Sequence, residues 1–378
     1  MTSADADPNQ RQHLTVSGQD IDLLATELAQ WLGTKVEADE EPKVTSITRP
    51  ETGGMSSTTL LFDAEWSEHG QPAGGSFVAR LAPDADAFPV FEKYDLATQF
   101  AVIAGVAEAT DLPVPTLCWL ETGSDNALGA PFFVMRRVSG RVPEDNPPYV
   151  FTGWLFDATP EQRYAITRHT VAAIAKVHSI DNPAERFPMF AGEGSSLRRH
   201  FDAQKAWYDW ALANDGYRIP ILERAFEWLE ANWPAEPSDD VLSWGDARPG
   251  NIMFDEFDPV AVLDWEMAAI GPRELDVAWT ILIHRFFQDI ATRFDQAGLA
   301  DYMRRGDVEK LYEEFSGHAV RDLDWYLMYS ALRHGIVMAR IRRRMIHFGE
   351  AADNDDRDDY VMHRPLLEAL LDGTYSWD

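Results

Sequence analysis

Hydrophobic and polar positions divide this chain into a strand-rich first part and a helix-rich remainder. Ile21, Leu24, Ala25, Leu28 and Leu32 follow the helical period and Gly33 supplies a stop, which predicts a helix packed on a following sheet. Val44 to Trp66 reads as two strands around ETGGMSSTTL, and Phe77 to Leu81 as a third strand after a Gly74-Gly75 turn. A helix is predicted from about Asp95 to Ala109. Pro113 and Pro115 exclude helix from LPVPTLCWLE, residues 112 to 121, so that segment is extended. PFFVMRRVSG, 131 to 140, is a buried strand that runs into a connector, and the first domain ends near Val138.

Beyond the connector the period changes. Residues 141 to 162 form a long loop rich in Pro and aromatic residues. Thr159, Pro160 and Gln162 then make a capping box with proline at the first helical position, opening a helix that runs to about His178. Residues 197 to 233 give two amphipathic helices whose Trp207, Trp210, Trp228 and Trp233 read as core. Residues 271 to 287 are a helix with early acidic residues, and Asp322 to Phe348 is a long helical pattern. Residues 1 to 18 are polar and read as a mobile arm.

Candidate chemistry gathers in SWGDARPGNIMFDEFDPVAVLDWE, Ser243 to Glu266. Ile252 to Phe254 and Val260 to Leu263 are short apolar runs around the turn residues Asp255 to Pro259, so the pair reads as a hairpin. Asn251 and Asp264 then sit at adjacent ends of neighbouring strands. Pro249 and Gly250 tighten the loop from Asp246 to Asn251, so the three side chains can converge. Three oxygen-bearing groups suit magnesium and a hydroxyl. Phosphoryl transfer needs a base to orient the attacking hydroxyl and hard oxygen ligands for the metal on the triphosphate. An Asp, four residues, an Asn and then a second Asp is the kinase order, although Asp and Asn at this spacing are also ordinary turn residues.

WGDARPGN followed by VLDWE resembles the HGD-x4-N and IDWE motifs of the aminoglycoside phosphotransferase and choline kinase family. Within it, the resemblance is to the branch with mycobacterial members and the kinase-like domain fused to some acyl-CoA dehydrogenases, and it extends from about residue 21 onward. It implies an α+β, protein-kinase-like fold of two lobes. The N-terminal nucleotide-binding lobe, 19 to 138, would carry an antiparallel sheet, and a larger, mainly helical C-terminal lobe, 139 to 378, would hold the catalytic and acceptor sites. By the same resemblance Asp246 is the catalytic base, Asn251 and Asp264 are Mg2+ ligands, and ATP is the donor. Trp244 stands where the family usually has His, and Ala247-Arg248 where it has Leu-His, but the three reacting positions are kept.

The resemblance also assigns the first lobe. Gly54, Ser56 and Ser57 fall where a loop covers the nucleotide phosphates, and the same small residues fit a plain hairpin turn. Arg80 occupies the place of the phosphate-binding Lys, with Gln99 where its Glu partner is expected; a solvated strand-edge Arg fits the pattern too. Backbone groups of Met135 to Arg137 would meet the adenine edge. Tyr149, Phe151 and Trp154 either wall an acceptor site or cover the core. His178, in AKVHSID, reads as a structural histidine that buttresses the catalytic loop, and Asp276 matches a position that holds this loop by hydrogen bonds. Glu266 would share a strand face with Asp264 if the strand continued.

Composition narrows the partners. A chain of 378 residues with 45% hydrophobic and 25% charged content can bury two sizeable cores. The single Cys118 makes no internal disulfide or metal cluster and fits a reducing cytoplasm. No basic and apolar leader begins the sequence and no run approaches a membrane span of about 18 residues, so no membrane partner is expected. A formal charge of -30 opposes nucleic-acid binding; it suits a cationic acceptor and fits equally the acidity that keeps a protein in solution. Together with the resemblance, this leaves a small-molecule hydroxyl acceptor as the expected partner. An aminoglycoside suits the acidic surface. A hydroxyacyl-coenzyme A suits the basic cluster Arg340, Arg342, Arg343 and Arg344, which fits equally a helix end paired with the acidic run 353 to 359. A catalytically silent nucleotide-binding module suits Arg80, Gln99 and Trp244.

Overall fold

The computed structural model describes residues 21–49, 58–83, 88–126 and 128–377; the predicted arm and the Gly54, Ser56 and Ser57 loop lie outside them. Contacts gather the chain into two units. One holds the described residues up to Ala101 with Pro115–Val138 and Arg344–Ala351, and the other holds Val102–Val114, Ser139–Arg343 and the described residues from Ala352 onward.

In the first unit, β1 (Lys43–Thr48), β2 (Thr58–Glu68), β3 (Gln71–Leu81), β4 (Leu117–Glu121) and β5 (Phe132–Arg136) form one antiparallel sheet in the order β1-β2-β3-β5-β4. α1 (Ile21–Gly33) lays Leu24, Leu28, Trp31 and Leu32 on Leu60, Phe62, Phe77 and Phe132 of the sheet. Full burial of each such side chain contributes roughly 1.5–3 kcal/mol. Trp31 adds direction: its indole N–H donates to Glu121 at 2.8 Å while its ring meets Trp119 and Phe132 edge-on.

Gly74 and Gly75 do not form the turn that the sequence suggests. The hairpin turns at His69 and Gly70, and both glycines lie inside β3 with φ of 145° and 149°. The reason is space, since a Cβ on Gly74 would stand 2.3 Å from the Ala64 carbonyl oxygen and one on Gly75 would stand 2.2 Å from the Arg136 guanidinium.

Two segments change unit along the chain. α2 (Leu96–Ala109) contributes to both units. Its latter half and the following turn join the second unit through Phe187, which would lie 2.5 Å from a Cβ on Gly105, through the Lys176–Asp111 ion pair and through the Val262 amide on the Pro113 carbonyl. Arg344–Ala351 joins the first unit, where His347 stacks on Phe88 at 4.9 Å.

The second unit is mainly helical: α3 (Pro160–His178), α4 (Pro183–Arg186), α5 (Ser196–Ala211), α6 (Pro220–Ala231), α7 (Glu274–Arg293), α8 (Arg305–Ser316), α9 (Leu323–His347) and α10 (Arg364–Leu371). α3 starts with the expected reciprocal cap between Thr159 and Gln162. Two antiparallel pairs complete the unit, β6 (Asp240–Ser243) with β9 (Ala269–Pro272) and β7 (Ile252–Asp255) with β8 (Asp258–Val262). Gly271 and Pro272, predicted to begin a helix, instead end β9, and α7 starts at Glu274.

The aromatic loop packs inward. Tyr149 is buried with its hydroxyl 3.1 Å from His284 Nδ1, and Trp154 donates to the Val142 carbonyl beneath the Arg141 guanidinium. Phe151 meets Phe294 at 6.4 Å. The basic cluster is likewise engaged. Arg340 and Arg343 both donate to the Ala211 carbonyl that ends α5, Arg343 also pairs with Asp215, and Arg342 donates to the Ala352 carbonyl. These arginines satisfy helix-terminal carbonyls and aromatic faces of Trp210 and Tyr217. No helix among the described residues is long and apolar enough to cross a membrane.

Candidate active site

The loop from Ser243 to Asn251 is held from beneath by a buried carboxylate. Asp276, in the first turn of α7 with 0% exposure, accepts from Ser243 Oγ at 2.7 Å, Trp244 N at 2.7 Å, Gly245 N at 2.9 Å and His178 Nε2 at 2.9 Å. Burial alone would raise its pKa, yet the His178, Ser243 and Gly245 hydrogen bonds hold it below the ordinary carboxylate range. A carboxylate only accepts, so His178 donates to it from Nε2, and its Nδ1 lies 2.8 Å from the Tyr312 hydroxyl. Gly245 is obligatory here: its φ is +93°, and a Cβ would lie 2.1 Å from the Met267 carbonyl oxygen.

Trp244 occupies the place of the expected His and does different work. Its buried indole donates to the carbonyls of Leu263 at 2.8 Å and Asp264 at 3.2 Å, and its ring packs on Trp265. The loop bearing Asp246 is thereby tied to the segment bearing Asp264. Asn251 closes a short 3-10 turn from Pro249, and its carbonyl accepts the Leu263 amide at 2.8 Å, so the backbones of the two segments are joined as well.

Asp246 is the hub. Its Oδ2 accepts from Asn251 Nδ2 at 2.6 Å and Arg248 Nε at 3.1 Å, while its Oδ1 accepts from Trp279 Nε1 at 2.6 Å. Arg248 also forks onto Asp145, with Nη1 to Oδ1 at 2.9 Å and Nη2 to Oδ2 at 2.8 Å. Burial opposes the charge of Arg248, but Asp246 and Asp145 together raise its pKa above that of an ordinary arginine. β8 ends at Val262, and Asp264 follows with a left-handed φ of 59°, a conformation that Asp tolerates. The strand therefore does not continue to Glu266, which lies in a turn, and the shared strand face expected for Asp264 and Glu266 does not exist.

Sequence reasoning names Asp246, Asn251 and Asp264 but misses Trp279 and Asp145. Trp279 follows Asp276 by three residues, so both face the loop from one side of α7. In sequence it is merely one more helical tryptophan. Asp145 lies in an irregular loop far from Arg248 in the chain, and carries no signal at all.

A divalent ion is chemically compatible with these residues. Asn251 directs its Nδ2 to Asp246, which leaves the amide oxygen as its ligand atom, and Asp264 adds carboxylate oxygens from the adjoining segment, the hard donors that Mg2+ takes. In the first unit, Arg80 sits in β3 opposite Thr59 and Phe133, and Gln99 is buried in α2. Met135 lies in β5 between Val78 and Leu117. The amides of Arg136 and Arg137 are donated to the Thr116 and Ser76 carbonyls, and the Arg137 side chain reaches Ser76 Oγ and Asp63.

Residues 62–314 match the phosphotransferase enzyme family. The chain belongs to this family. Among relatives, the probable acyl-CoA dehydrogenase IBR3 of Arabidopsis thaliana is 27% identical over 290 residues, covering 72% of this phosphotransferase and 34% of that protein. Acyl-CoA dehydrogenase family member 11 of Gallus gallus is 27% identical over 314 residues, covering 80% and 38%. The chain thus spans about a third of the length of these relatives. A Ralstonia eutropha structure carrying the aminoglycoside phosphotransferase name superposes with a TM-score of 0.64 at 22% identity, over 94% of this chain and 98% of that one. The Plasmodium vivax ethanolamine kinase does so with a TM-score of 0.56 at 12% identity, over 87% and 84%. These likenesses show the fold of the phosphotransferase: kinase-like, α+β, with an antiparallel sheet in one unit and mostly helices in the other.

Proposed function

We propose that this phosphotransferase moves the γ-phosphoryl group of ATP to a hydroxyl of a small molecule. The observation that carries the reading is the Asp246 carboxylate, oriented by Asn251, Arg248 and Trp279 on a loop fixed by buried Asp276. Asp246 orients the acceptor hydroxyl and takes its proton as the oxygen attacks phosphorus. Asn251 and Asp264 hold magnesium, which when bound neutralises charge on the triphosphate oxygens. Arg80, with Gly54, Ser56 and Ser57, contacts the phosphates, and the Met135–Arg137 segment lies by the base. Nucleotide binding is in keeping with similar folds described as complexes with ADP and hygromycin B or with GDP.

The acceptor class follows less directly. The engagement of Arg340, Arg342 and Arg343 with carbonyls and Asp215 removes the main reason for a coenzyme A phosphate at that cluster. The charge of -30 favours a cationic, aminoglycoside-like acceptor. ADP release from magnesium-ATP, measured across aminoglycosides, amino alcohols, sugars and hydroxyacyl-coenzyme A thioesters, tests the reading. Turnover with one class is expected. Asp264→Ala should weaken magnesium-dependent ATP binding by at least about tenfold, or about 1.4 kcal/mol; unchanged binding would remove Asp264 from the metal site. ATP binding with no turnover for any acceptor would favour a silent nucleotide-binding module.

A further inference from the structure

We infer that Trp279, backed by Arg333, is a positioning residue that fixes the Asp246 carboxylate and directs the acceptor hydroxyl to its Oδ1; this rests on the phosphoryl-transfer reading above. The argument is a count of lone pairs. Each carboxylate oxygen offers about two acceptor sites. Oδ2 of Asp246 fills both, with Asn251 at 2.6 Å and Arg248 at 3.1 Å. Oδ1 fills one, with Trp279 at 2.6 Å. A hydroxyl approaching this base therefore finds its acceptor site on Oδ1, beside the indole. An indole N–H donates but never accepts, so Trp279 can hold the carboxylate without competing for the proton that leaves the hydroxyl. The bond is short and charge-assisted, which gives it the stiffness that orientation requires.

Arg333 supplies the second half of the device. It lies on α9 with 1% exposure, and its guanidinium stands 4.6 Å from the Trp279 ring centroid. Its Nη2 reaches the carbonyl of Gly245, the residue before Asp246, at 3.4 Å. Nε and Nη1 are buried and have no hydrogen-bond partner among the described residues. Such a cation is costly to bury, and with essentially no accessible surface on those atoms it cannot serve as a ligand site. Its effect is internal. A cation over the indole face fixes the ring plane and draws electron density from the N–H, strengthening the donor that Asp246 receives. Trp279 and Arg333 thus grip Asp246 through its side chain and the peptide that precedes it.

Trp279→Phe keeps most of the ring and deletes the N–H. With magnesium-ATP and water as the acceptor, ADP release should fall about 10- to 100-fold, the usual result of a misplaced reacting group, while ATP affinity, read with a fluorescent ATP analogue, stays within about twofold. Arg333→Met should produce the same split with a smaller loss. In 15N-tryptophan spectra the Trp279 indole proton, identified by its absence from Trp279→Phe, should lie downfield and move upfield in Asp246→Asn. Wild-type ADP release in Trp279→Phe overturns the inference. So does a parallel loss of rate, ATP affinity and melting temperature, which marks a packing role. An indole resonance indifferent to Asp246→Asn overturns it whatever the rates show. If Asp246→Ala keeps full turnover, the phosphoryl-transfer assignment fails instead, and the indole resonance still reports on the hydrogen bond.

Discussion

Asp246→Ala should lower turnover of magnesium-ATP by about 10²- to 10⁴-fold, the range typical of a lost general base, and leave nucleotide affinity nearly unchanged. The two effects separate because the role proposed for Asp246 is toward the acceptor hydroxyl, whereas the proposed magnesium and phosphate contacts belong to Asn251, Asp264 and Arg80. The substitution is also structurally mild for a polar deletion. Arg248 retains its two bonds to Asp145, and the loop backbone retains its bonds to Asp276. Trp279 Nε1 and Asn251 Nδ2 lose an acceptor, but Asn251 still reaches the main-chain oxygen of residue 246 at 3.0 Å. Steady-state rates at saturating ATP, with nucleotide binding measured separately, check the prediction. A variant with normal turnover would remove Asp246 from the chemistry.

How far the sequence discloses this site depends on whether a role is local. The Asp246, Asn251 and Asp264 set is legible because a tight loop and a hairpin bring it together within a few tens of residues. The pairing of β7 with β8 agrees with the apolar runs that predict it. The cap at Thr159 is legible for the same reason, since both of its hydrogen bonds span three residues. Trp279, Arg333 and Asp145 are not legible. Their partners lie across 33, 88 and 103 residues of chain, and only tertiary packing decides which helix face or loop meets Asp246.

Glycine pairs mislead in the same way. Gly74-Gly75 has the composition of a turn, but the constraint on it comes from Ala64 and Arg136 on neighbouring strands, which no local pattern reports. The clustered arginines of α9 suggest an anion site only until the end of α5 is seen to meet them. Trp244 is the converse case. Its departure from the family motif suggests lost function, whereas its indole joins the Leu263 and Asp264 carbonyls to the Asp246 loop.

The largest loss of stability is expected from Asp276→Ala. The side chain is wholly buried and accepts from Ser243, Trp244, Gly245 and His178, so deletion strands donors where water does not readily replace the lost acceptor. Each buried donor left without an acceptor costs about 1–3 kcal/mol, so the loss should reach about 3–5 kcal/mol once the loop has relaxed. At about 2–4 °C per kcal/mol for a domain of 150–250 residues, the melting temperature should drop by roughly 10 °C. Asp276→Asn should recover little, because its amide N–H groups would face other donors. The pH dependence gives a second reading with a definite sign. Asp276 has a pKa held below the ordinary value, so its charged interactions stabilise the fold above about pH 4, the unfolded carboxylate value, and are lost as pH falls through the folded value. The difference in stability between wild type and Asp276→Ala should therefore be full at neutral pH and shrink in acid. A constant difference across that range would mean that Asp276 acts by packing alone, and that the loop beneath Asp246 is held by something other than its charge.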